Sequence, residues 1–333
     1  MTKQIISVFM LSACLFSGCQ GNAATVKPEK SKPLEAKSTM PVFNADSAYQ
    51  YIQKQVDFGY RIPNTSAHQA TGEWLEAKLR SFGADVVVQE AKLRAYDGTL
   101  LDSKNIIGQY NPAHPFRVLL LAHWDTRPFA DNDPNPANHR QPVLGANDAA
   151  SGVGVLLEMA RMFSQKAPQI GVDILFVDSE DYGTPNFVPS TEDDSKTWAL
   201  GSQYWARNPH KRGYKAQYAI LLDMVGGKNA TFMREGFSDH YASSLVDALW
   251  TTAKELGYGT YFVQEQGGYI NDDHYYINTM AGIPAVDIIH LDKTTDSGFF
   301  PYWHTVRDDM SHIDKKTLKA VGETVAYLLY NHK

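Results

Sequence analysis

The sequence predicts an α/β fold, a three-layer sandwich in which helices flank a mostly parallel central sheet. Short and nearly continuous apolar segments predict buried strands at residues 118–122, 172–177, 219–222 and 285–289. Segments with helical spacing separate these strands or follow the last one, at residues 152–164, 238–256 and 315–330. Strands that alternate with helices favour parallel pairing, because each helix returns the chain to the starting edge of the sheet.

Two helices and two strands are predicted ahead of this alternating region. Helical spacing covers residues 44–56 and 65–82, and apolar segments then predict strands at residues 85–88 and 105–108. No internal repeat and no second low-complexity stretch interrupts the rest of the chain. We therefore predict a single folded domain over residues 41–333.

The composition is that of an ordinary globular protein. Of the 333 residues, 43% are hydrophobic and 20% are charged, which excludes the disordered and collagen-like classes. The 31 basic and 37 acidic side chains give a net charge of −6, and apart from residues 27–37 no cluster of Lys and Arg offers a surface for a phosphate backbone. We therefore expect no nucleic-acid partner. Both cysteines, Cys14 and Cys19, lie near the N-terminus, so the domain can form neither a disulfide nor a cysteine-based metal site.

Residues 1–19 are typical of a secretory signal. Their apolar stretch, residues 5–16, is too short for a permanent membrane helix. Residues 16–19, Phe-Ser-Gly-Cys, resemble a bacterial lipobox, in which cleavage leaves a lipidated cysteine, and ordinary secretion is the alternative. Residues 20–40 have no apolar period and predict a flexible tether. We expect an exported lipoprotein that faces the periplasm and contacts the membrane only through lipid on Cys19.

Polar side chains follow each of the four central strands. In chain order they are His123 and Asp125, Glu180 and Asp181, Asp223, and His290 and Asp292. Taken singly, each is equally compatible with a solvated loop, but the carboxyl ends of parallel strands form one ligand crevice. Carboxylates crowded in a crevice repel each other unless a proton or a cation lies between them. Because the domain lacks cysteine, histidine together with aspartate and glutamate favours zinc.

Three further segments carry candidate site residues. Asp148 lies in a turn of small residues, 145–152, directly before a predicted helix, where compact neighbours leave room for a metal. Residues 271–274 are an acidic turn, and residues 299–305 form an aromatic loop that contains His304. Each of these segments is a weak signal when it is taken alone.

In chain order, six short motifs resemble the glutaminyl cyclases, which are glutaminyl-peptide cyclotransferases. The motifs are His123-Trp124-Asp125, the Asp148 turn, Ser179-Glu180-Asp181, Leu222-Asp223-Met224, Asp272-Asp273-His274 and Trp303-His304-Thr305. The resemblance covers most of the chain from residue 45 onward and implies a zinc-aminopeptidase-like fold. It also implies an acyltransferase that converts N-terminal glutaminyl residues to pyroglutamate and releases ammonia. The expected substrates are peptides or proteins that begin with glutamine, and we expect a monomer.

The resemblance assigns a catalytic centre residue by residue. Asp148, Asp181 and His304 are the implied ligands of one zinc ion per chain, with a fourth coordination position left open for substrate. Glu180 matches the general acid and base of the family. Asp272 matches an acid that hydrogen-bonds within the active site.

The resemblance also implies a substrate pocket. Trp303 and Asp223 belong to it, and either Phe299 or Phe300 supplies an apolar wall, a choice that spacing does not decide. Trp198 matches a second pocket tryptophan, and packing in the core is the alternative for this residue.

Two positions depart from the family pattern. Many relatives have Glu-Glu where this chain has Glu180-Asp181, so the ligand arm is one methylene shorter. Animal members have a histidine at the position of Asp287, which we assign to substrate binding together with Asp223. Because desolvated carboxylates at hydrogen-bond distance do not all ionise, we predict that Asp223, Asp272 and Asp287 form a cluster that shares at least one proton.

Other functions fit parts of the sequence. A di-zinc aminopeptidase uses five ligand positions, all of which are filled, by His123, Asp148, Asp181, Asp223 and His304. The Trp303 and Asp272 motifs favour the cyclase over this alternative. A catalytically idle lipoprotein that binds peptide N-termini is disfavoured by the intact ligand set and by Glu180. A serine hydrolase is disfavoured because no Gly-x-Ser-x-Gly elbow surrounds a serine.

Overall fold

The computed structural model describes residues 40–189 and 194–332. The predicted signal segment, its lipidation site Cys19 and the tether up to residue 39 lie outside the described residues. Within those two ranges, no helix combines the length and the apolar composition that a membrane span requires. The expectations about the N-terminal segment therefore stay predictions.

The order of helices and strands follows the alternation seen in the sequence. In the described ranges the helices are α1 (Ala45–Asp57), α2 (Ser66–Ser81), α3 (Ala150–Gln165), α4 (Leu200–Arg207), α5 (Gly236–Glu255), α6 (Asp273–Tyr276) and α7 (Lys315–Tyr330). The strands are β1 (Asp85–Arg94), β2 (Leu100–Tyr110), β3 (Arg117–His123), β4 (Gly171–Val177), β5 (Tyr218–Asp223), β6 (Phe232–Arg234), β7 (Phe262–Gln266) and β8 (Ala285–Ile289). Each predicted helix and strand is confirmed. The short elements α4, α6, β6 and β7 were not predicted, because so few residues show no clear period.

Polar side chains at the helix starts explain where several helices begin. Asn44 accepts hydrogen bonds from the backbone N–H groups of Asp46 and Ser47, and Thr65 accepts one from His68. Asp314 does the same at the first turn of α7. Such caps satisfy N–H groups that have no partner within the helix.

The central sheet has six strands in the order β1-β2-β4-β3-β5-β8. The strands β4, β3, β5 and β8 pair in parallel, whereas β1 and β2 pair antiparallel with each other and β2 pairs antiparallel with β4. The prediction of a mostly parallel sheet flanked by helices is confirmed, with an antiparallel pair at one edge. A separate sheet pairs β6 with β7.

Both faces of the sheet are covered, which explains the continuous apolar character of the central strands. In β3, Leu120 packs into a core with residues of α1, α2, α3, α5 and α7, while its neighbour Leu121 packs into a second core on the opposite face. Successive side chains of a strand point to opposite faces, so a strand buried on both faces has no polar alternation.

Because four neighbouring strands run in parallel, their carboxyl ends lie at one edge of the sheet. The last residue of β3 is His123 and that of β5 is Asp223, and β4 ends three residues before Glu180. The fold therefore brings the polar strand ends of the sequence to a single edge.

We predict that α3 tolerates no side chain at Gly152, where it crosses β5. A Cβ atom there would lie 2.0 Å from the backbone oxygen of Leu222, which cannot move without disrupting the strand. Gly152→Ala should lower the free energy of unfolding by roughly 1–3 kcal/mol through overpacking, although alanine is the better helix former. Urea unfolding followed by circular dichroism measures the change.

Gly259→Ala is the matched control, because its Cβ would meet no heavy atom closer than 3.6 Å. We expect the control to stay within about 0.5 kcal/mol of the unsubstituted protein. Equal stability of the two variants would contradict the close approach of α3 to β5.

Candidate active site

A cavity of about 460 Å3 opens at the carboxyl edge of the parallel strands. Nine residues that the sequence singled out line it together, namely Asp148, Glu180, Asp181, Trp198, Asp223, Asp272, Phe299, Trp303 and His304. Asp223 is the last residue of the parallel strand β5, Glu180 and Asp181 lie in the turn that follows β4, and the others lie outside the sheet. His290 and Asp292, which follow β8, do not line this cavity.

Three of these residues form a group that fits a metal ion. Asp148, Asp181 and His304 are buried, and each offers a ligand atom that lies within 4.8 Å of the other two. His304 Nε2 is 3.1 Å from Asp181 Oδ1 and 3.5 Å from Asp148 Oδ2. Two carboxylates and an imidazole, with room for a fourth ligand, are a typical donor set for catalytic zinc.

The electrostatics of the group also indicate a missing positive charge. Both carboxylate oxygens of Asp181 are buried and accept no well-formed hydrogen bond, so Oδ1 has only the contact with His304 Nε2 to balance its charge. Burial and then the charge of Asp148 raise the pKa of Asp181 to about 6. Burial lowers the pKa of His304, but the charge of Asp181 and the contact with Asp131 outweigh it and raise that pKa to about 9. A buried carboxylate without a partner is costly, and a divalent cation bound here removes that cost.

Two buried aspartates hold the loops that carry the candidate metal ligands. Asp125 accepts hydrogen bonds from the backbone N–H groups of Glu180 and Asp181, both at 3.1 Å. Asp308 accepts one from the N–H of Asp148 at 3.0 Å and another from the residue before it. Asp308 carried no signal in the sequence, because it follows His304 in an irregular loop. The backbone on either side of the site is therefore fixed by carboxylates that bind no metal themselves.

The imidazole of His304 is oriented by an ion pair that sequence reasoning missed. Its Nδ1 lies 3.5 Å from Asp131 Oδ1, on the side of the ring opposite the metal-facing nitrogen. Asp131 is also paired with Arg127 at 2.7 Å, and Arg127 donates to the backbone oxygens of Asp181 and Gly183. A carboxylate on the second nitrogen of a ligand histidine fixes the ring and raises its basicity as a ligand.

Glu180 lies beside the ligand group without belonging to it. It follows β4 directly before Asp181 and is 8% exposed at the cavity wall. Burial raises its pKa well above the usual value, and the nearby imidazole of His123 offsets part of this effect. A carboxyl group of this kind can both accept and return a proton near neutral pH.

Aromatic rings surround the ligand histidine. Trp303 stacks on His304 with ring centroids 3.8 Å apart, and Trp198 lies parallel to the same ring at 5.9 Å. Phe299 packs against Trp303 at 4.5 Å and lines the cavity, whereas Phe300 is buried in a small core cluster beneath it. The structure therefore places Phe299, and not Phe300, at the apolar wall.

A second group of possible metal ligands shares Asp148 with the first. The ligand atoms of His123, Asp148 and Asp223 also lie within 4.8 Å of one another. His123 Nε2 is 3.0 Å from Asp148 Oδ1 and 3.4 Å from Asp223 Oδ1. All five residues that a two-metal site needs are thus present at the same edge of the sheet.

The predicted carboxyl cluster is present, but one of its members is not where we expected it. Burial, and after it the charges of Asp272 and Asp223, raises the pKa of Asp287 well above its usual value. Burial comes first in raising the pKa of Asp223, to about 7. Asp287 itself is fully buried in β8 and does not line the cavity, which corrects its assignment to substrate binding. The strand neighbours Val286 and Ile288 pack into the core on one face of β8. The side chain of Asp287 therefore points to the opposite face, where it lies close to Asp272.

Residues with left-handed backbone conformation occur at three points of the site. Ser179, Met224 and His304 have φ values of 56°, 49° and 53°. Residues other than glycine adopt this conformation at a cost, and they do so often at functional sites. The peptide bond between Asp148 and Ala149 is cis.

Comparison with known proteins places this site in a family. The model of peptidase family M28 matches residues 105–329. Among solved structures, the glutaminyl cyclase of Bacteroides thetaiotaomicron bound to N-acetylhistamine is 55% identical, with a TM-score of 0.86 over 88% of this chain and 100% of that chain. A Zn-dependent exopeptidase from Parabacteroides distasonis ATCC 8503 is 54% identical, also with a TM-score of 0.86 over 88% of this chain and 100% of that one.

A curated relative is more distant. Aminopeptidase YwaD of Bacillus subtilis (strain 168) is 27% identical over 274 residues, which cover 80% of this chain. The match covers only 53% of the length of that protein, so about half of the relative has no counterpart in this chain.

We predict that Asp131→Asn weakens zinc binding without removing a ligand. The substitution keeps the shape of the side chain but removes the charge that faces Nδ1 of His304 and pairs with Arg127. Loss of such a partner should weaken zinc about 10- to 100-fold. Competition with a chromogenic chelator measures the affinity.

The control is Asp239→Asn, which breaks a similar aspartate–arginine pair, with Arg234 at 2.6 Å, outside the cavity. It should leave zinc affinity unchanged. Equal zinc affinities in the two variants would show that Asp131 does not support the ligand histidine.

Proposed function

The chain belongs to peptidase family M28 and, within it, to the bacterial glutaminyl cyclases, and we propose that it works with a single zinc ion held by Asp148, Asp181 and His304. Its activity is that of a glutaminyl-peptide cyclotransferase, which converts the N-terminal glutamine of a peptide or protein to pyroglutamate. One observation carries the proposal for the site. The three ligand residues and Glu180 open into the same aromatic cavity.

The reaction needs a group that moves a proton between two nitrogen atoms. A bond forms between the α-amino nitrogen and the side-chain amide carbon, and the bond from that carbon to the amide nitrogen breaks. Glu180 accepts a proton from the attacking amine and gives one to the nitrogen that leaves as ammonia, so it ends in its starting state. Its burial strengthens its hold on the proton between the two transfers.

The aromatic walls supply proximity. Trp303, Trp198 and Phe299 present flat apolar surfaces on which the methylene groups of a glutamine side chain can pack. A side chain folded between them brings its amide carbon to its own amine and converts the attack into a favourable intramolecular step. The same walls exclude water, which would otherwise compete by hydrolysing the amide.

When bound, zinc would supply a Lewis acid for the carbonyl oxygen of the side-chain amide, where negative charge develops. Asp148, Asp181 and His304 would hold it, and Asp125, Asp131 and Asp308 keep these three residues in place. The unpaired carboxylate oxygens of Asp181 support this assignment.

A di-zinc aminopeptidase is the second candidate, and one observation favours it. His123 and Asp223 lie close enough to Asp148 to hold a second ion. The two functions differ in their products, because a peptidase consumes water and releases free glutamine, whereas a cyclase releases ammonia and keeps the chain length. We favour the cyclase because the cavity wall is aromatic on the side of His304, where a cyclising side chain must fold.

We also propose where the enzyme works. The apolar segment and the Phe-Ser-Gly-Cys motif at residues 16–19 support export and lipidation at Cys19. The tether of residues 20–40 then connects the lipid to a monomeric catalytic domain that faces the periplasm. Its substrates are exported peptides or proteins that begin with glutamine.

We predict that Glu180→Gln loses most turnover but keeps its metal. Glutamine has the same shape but cannot take up a proton, so kcat for a peptide that begins with glutamine should fall by about 10³-fold. Mass spectrometry of the product and zinc analysis of the purified variant give the two readouts. The unsubstituted enzyme should convert the peptide with loss of ammonia at constant chain length.

Glu265→Gln is the control, the same substitution at an exposed residue outside the cavity. It should retain full activity. Near-normal turnover by the Glu180 variant would remove its assigned role, and release of free glutamine by the unsubstituted enzyme would support the peptidase instead.

We predict that Cys19→Ser abolishes lipid attachment. Without the thiol, no lipid can be attached, so the variant should take up no labelled fatty acid when it is expressed in cells that are fed the label. Cys14→Ser is the control and should be labelled like the unsubstituted protein, since Cys14 lies inside the segment that cleavage removes. Labelling of the Cys19 variant at the unsubstituted level would contradict lipidation at this residue.

A further inference from the structure

A fully buried glutamate, Glu235, joins two segments next to the active-site cavity. Its carboxylate caps helix α5 by accepting hydrogen bonds from the N–H groups of Phe237 at 2.9 Å and Ser238 at 2.6 Å. It also accepts the N–H of Ile270 at 2.9 Å, and Ile270 lines the cavity. Burial raises the pKa of Glu235, but the contact with His274 and these N–H groups outweigh it and lower that pKa to about 2. Glu235 is therefore an ionised carboxylate.

Glu235 fixes the orientation of a buried histidine. His274 Nε2 lies 2.9 Å from Glu235 Oε2 and, because a carboxylate can only accept, Nε2 carries the hydrogen. The other ring nitrogen, Nδ1, is buried and has no hydrogen-bond partner. It faces Asp287, whose Oδ2 is 3.6 Å away.

Asp287 connects this pair to the cavity wall. Ligand atoms of Asp272, His274 and Asp287 lie within 4.8 Å of one another, and Asp272 lines the cavity. The backbone of Asp287 is linked to Glu235 as well, because its N–H donates to Ser238 Oγ at 3.0 Å and that hydroxyl donates to Glu235 Oε2 at 2.7 Å. Glu235 is therefore linked to Asp287 indirectly in two ways, through the imidazole of His274 and through the hydroxyl group of Ser238.

We propose that Glu235 and His274 are positioning residues of the cyclisation reaction, which fix Asp287 and through it the carboxyl group of Asp272 at the cavity wall. Neither residue reaches the cavity itself. A buried carboxylate–imidazole pair is weak as a stabilising device, because desolvation of the two groups offsets their attraction. The Glu235–His274 pair lies next to Asp287 and Asp272, and Asp272 lines the cavity. The pair can therefore position an active-site acid, whereas capping helix α5 would require only Glu235. The proposal rests on the proposed function.

His274 also sets the charge balance around Asp272. The titratable groups that face Asp272 are Asp287, Asp273, Glu180, Asp223, His123 and His274. Asp273, Glu180 and Asp223 are acids whose charge favours protonated Asp272, whereas the hydrogen bond with Asp287 and the two histidines favour its ionised form. Removal of the imidazole should therefore raise the pKa of Asp272. Because the proposal takes ionised Asp272 as the active form, the acidic limb of the pH profile should move to higher pH.

His274→Gln tests the proposal in the zinc-loaded enzyme. A glutamine amide can still donate to Glu235 but places no ring nitrogen opposite Asp287. We expect kcat to fall about 10-fold and the acidic limb of kcat to move up by about one pH unit. KM should stay within about twofold and the zinc content unchanged, because the cavity walls and ligands are untouched. A pH profile that superimposes on that of the unsubstituted enzyme would overturn the proposal.

His290→Gln is the matched control, a buried histidine after β8 whose ring packs on Phe300 and which does not line the cavity. The control can lower the melting temperature, but it should leave the pH profile in place. A shift of the same size in both variants would show that loss of any nearby buried histidine moves the profile, and this too would overturn the proposal.

Nitrogen-15 spectra of labelled histidine in the unsubstituted zinc enzyme provide a second test that needs no stable variant. We expect one buried imidazole, assigned to His274, to carry a proton on Nε2, the nitrogen beside Glu235. A proton on Nδ1 with Nε2 bare would overturn the pairing with Glu235. The two failures are distinguishable, because an enzyme that makes no pyroglutamate contradicts the proposed function, whereas these spectra report on the pair alone.

Discussion

The crowding of buried carboxylates at one edge of the sheet governs the arrangement of the site. Parallel pairing of β4, β3, β5 and β8 brings the strand ends together, and the residues that follow them are acids and a histidine. Without a cation these acids repel each other, and burial together with the charge of Asp148 accordingly raises the pKa of Asp181. Zinc binding and folding are therefore coupled, because the ion neutralises charge that the fold has already removed from water.

A single carboxylate, Asp125, links Asp181, a proposed metal ligand, to Glu180, the proposed proton carrier. It accepts the neighbouring N–H groups of Glu180 and Asp181, so one residue fixes the backbone of both. The turn before them includes Ser179 in a left-handed conformation. The distance between the metal position and the acid–base group is thus set by a rigid turn, and catalysis by preorganised groups depends on such rigidity.

The sequence predicted the residues that depend on strand periodicity and missed those that depend on tertiary contacts. Continuous apolar segments located the central strands, and of the polar residues that follow or end these strands, Glu180, Asp181 and Asp223 do line one cavity. Asp131, Asp308 and Glu235 lie in loops or at a helix start, where no period relates them to the residues they hold. Asp287 was misplaced for a related reason. Successive side chains of β8 point to opposite faces of the sheet, and Val286 and Ile288 point into the core. This alternation could have predicted that the side chain of Asp287 points away from that core.

The most direct test of the central claim is anomalous diffraction at the zinc absorption edge from crystals grown with excess zinc. We predict one anomalous peak per chain, within about 2.0–2.2 Å of a carboxylate oxygen of Asp148, one of Asp181 and Nε2 of His304. Glu180 should face the open position without touching the metal. A second peak of equal height between His123 and Asp223, or a single peak that misses any of the three ligands, would contradict the account.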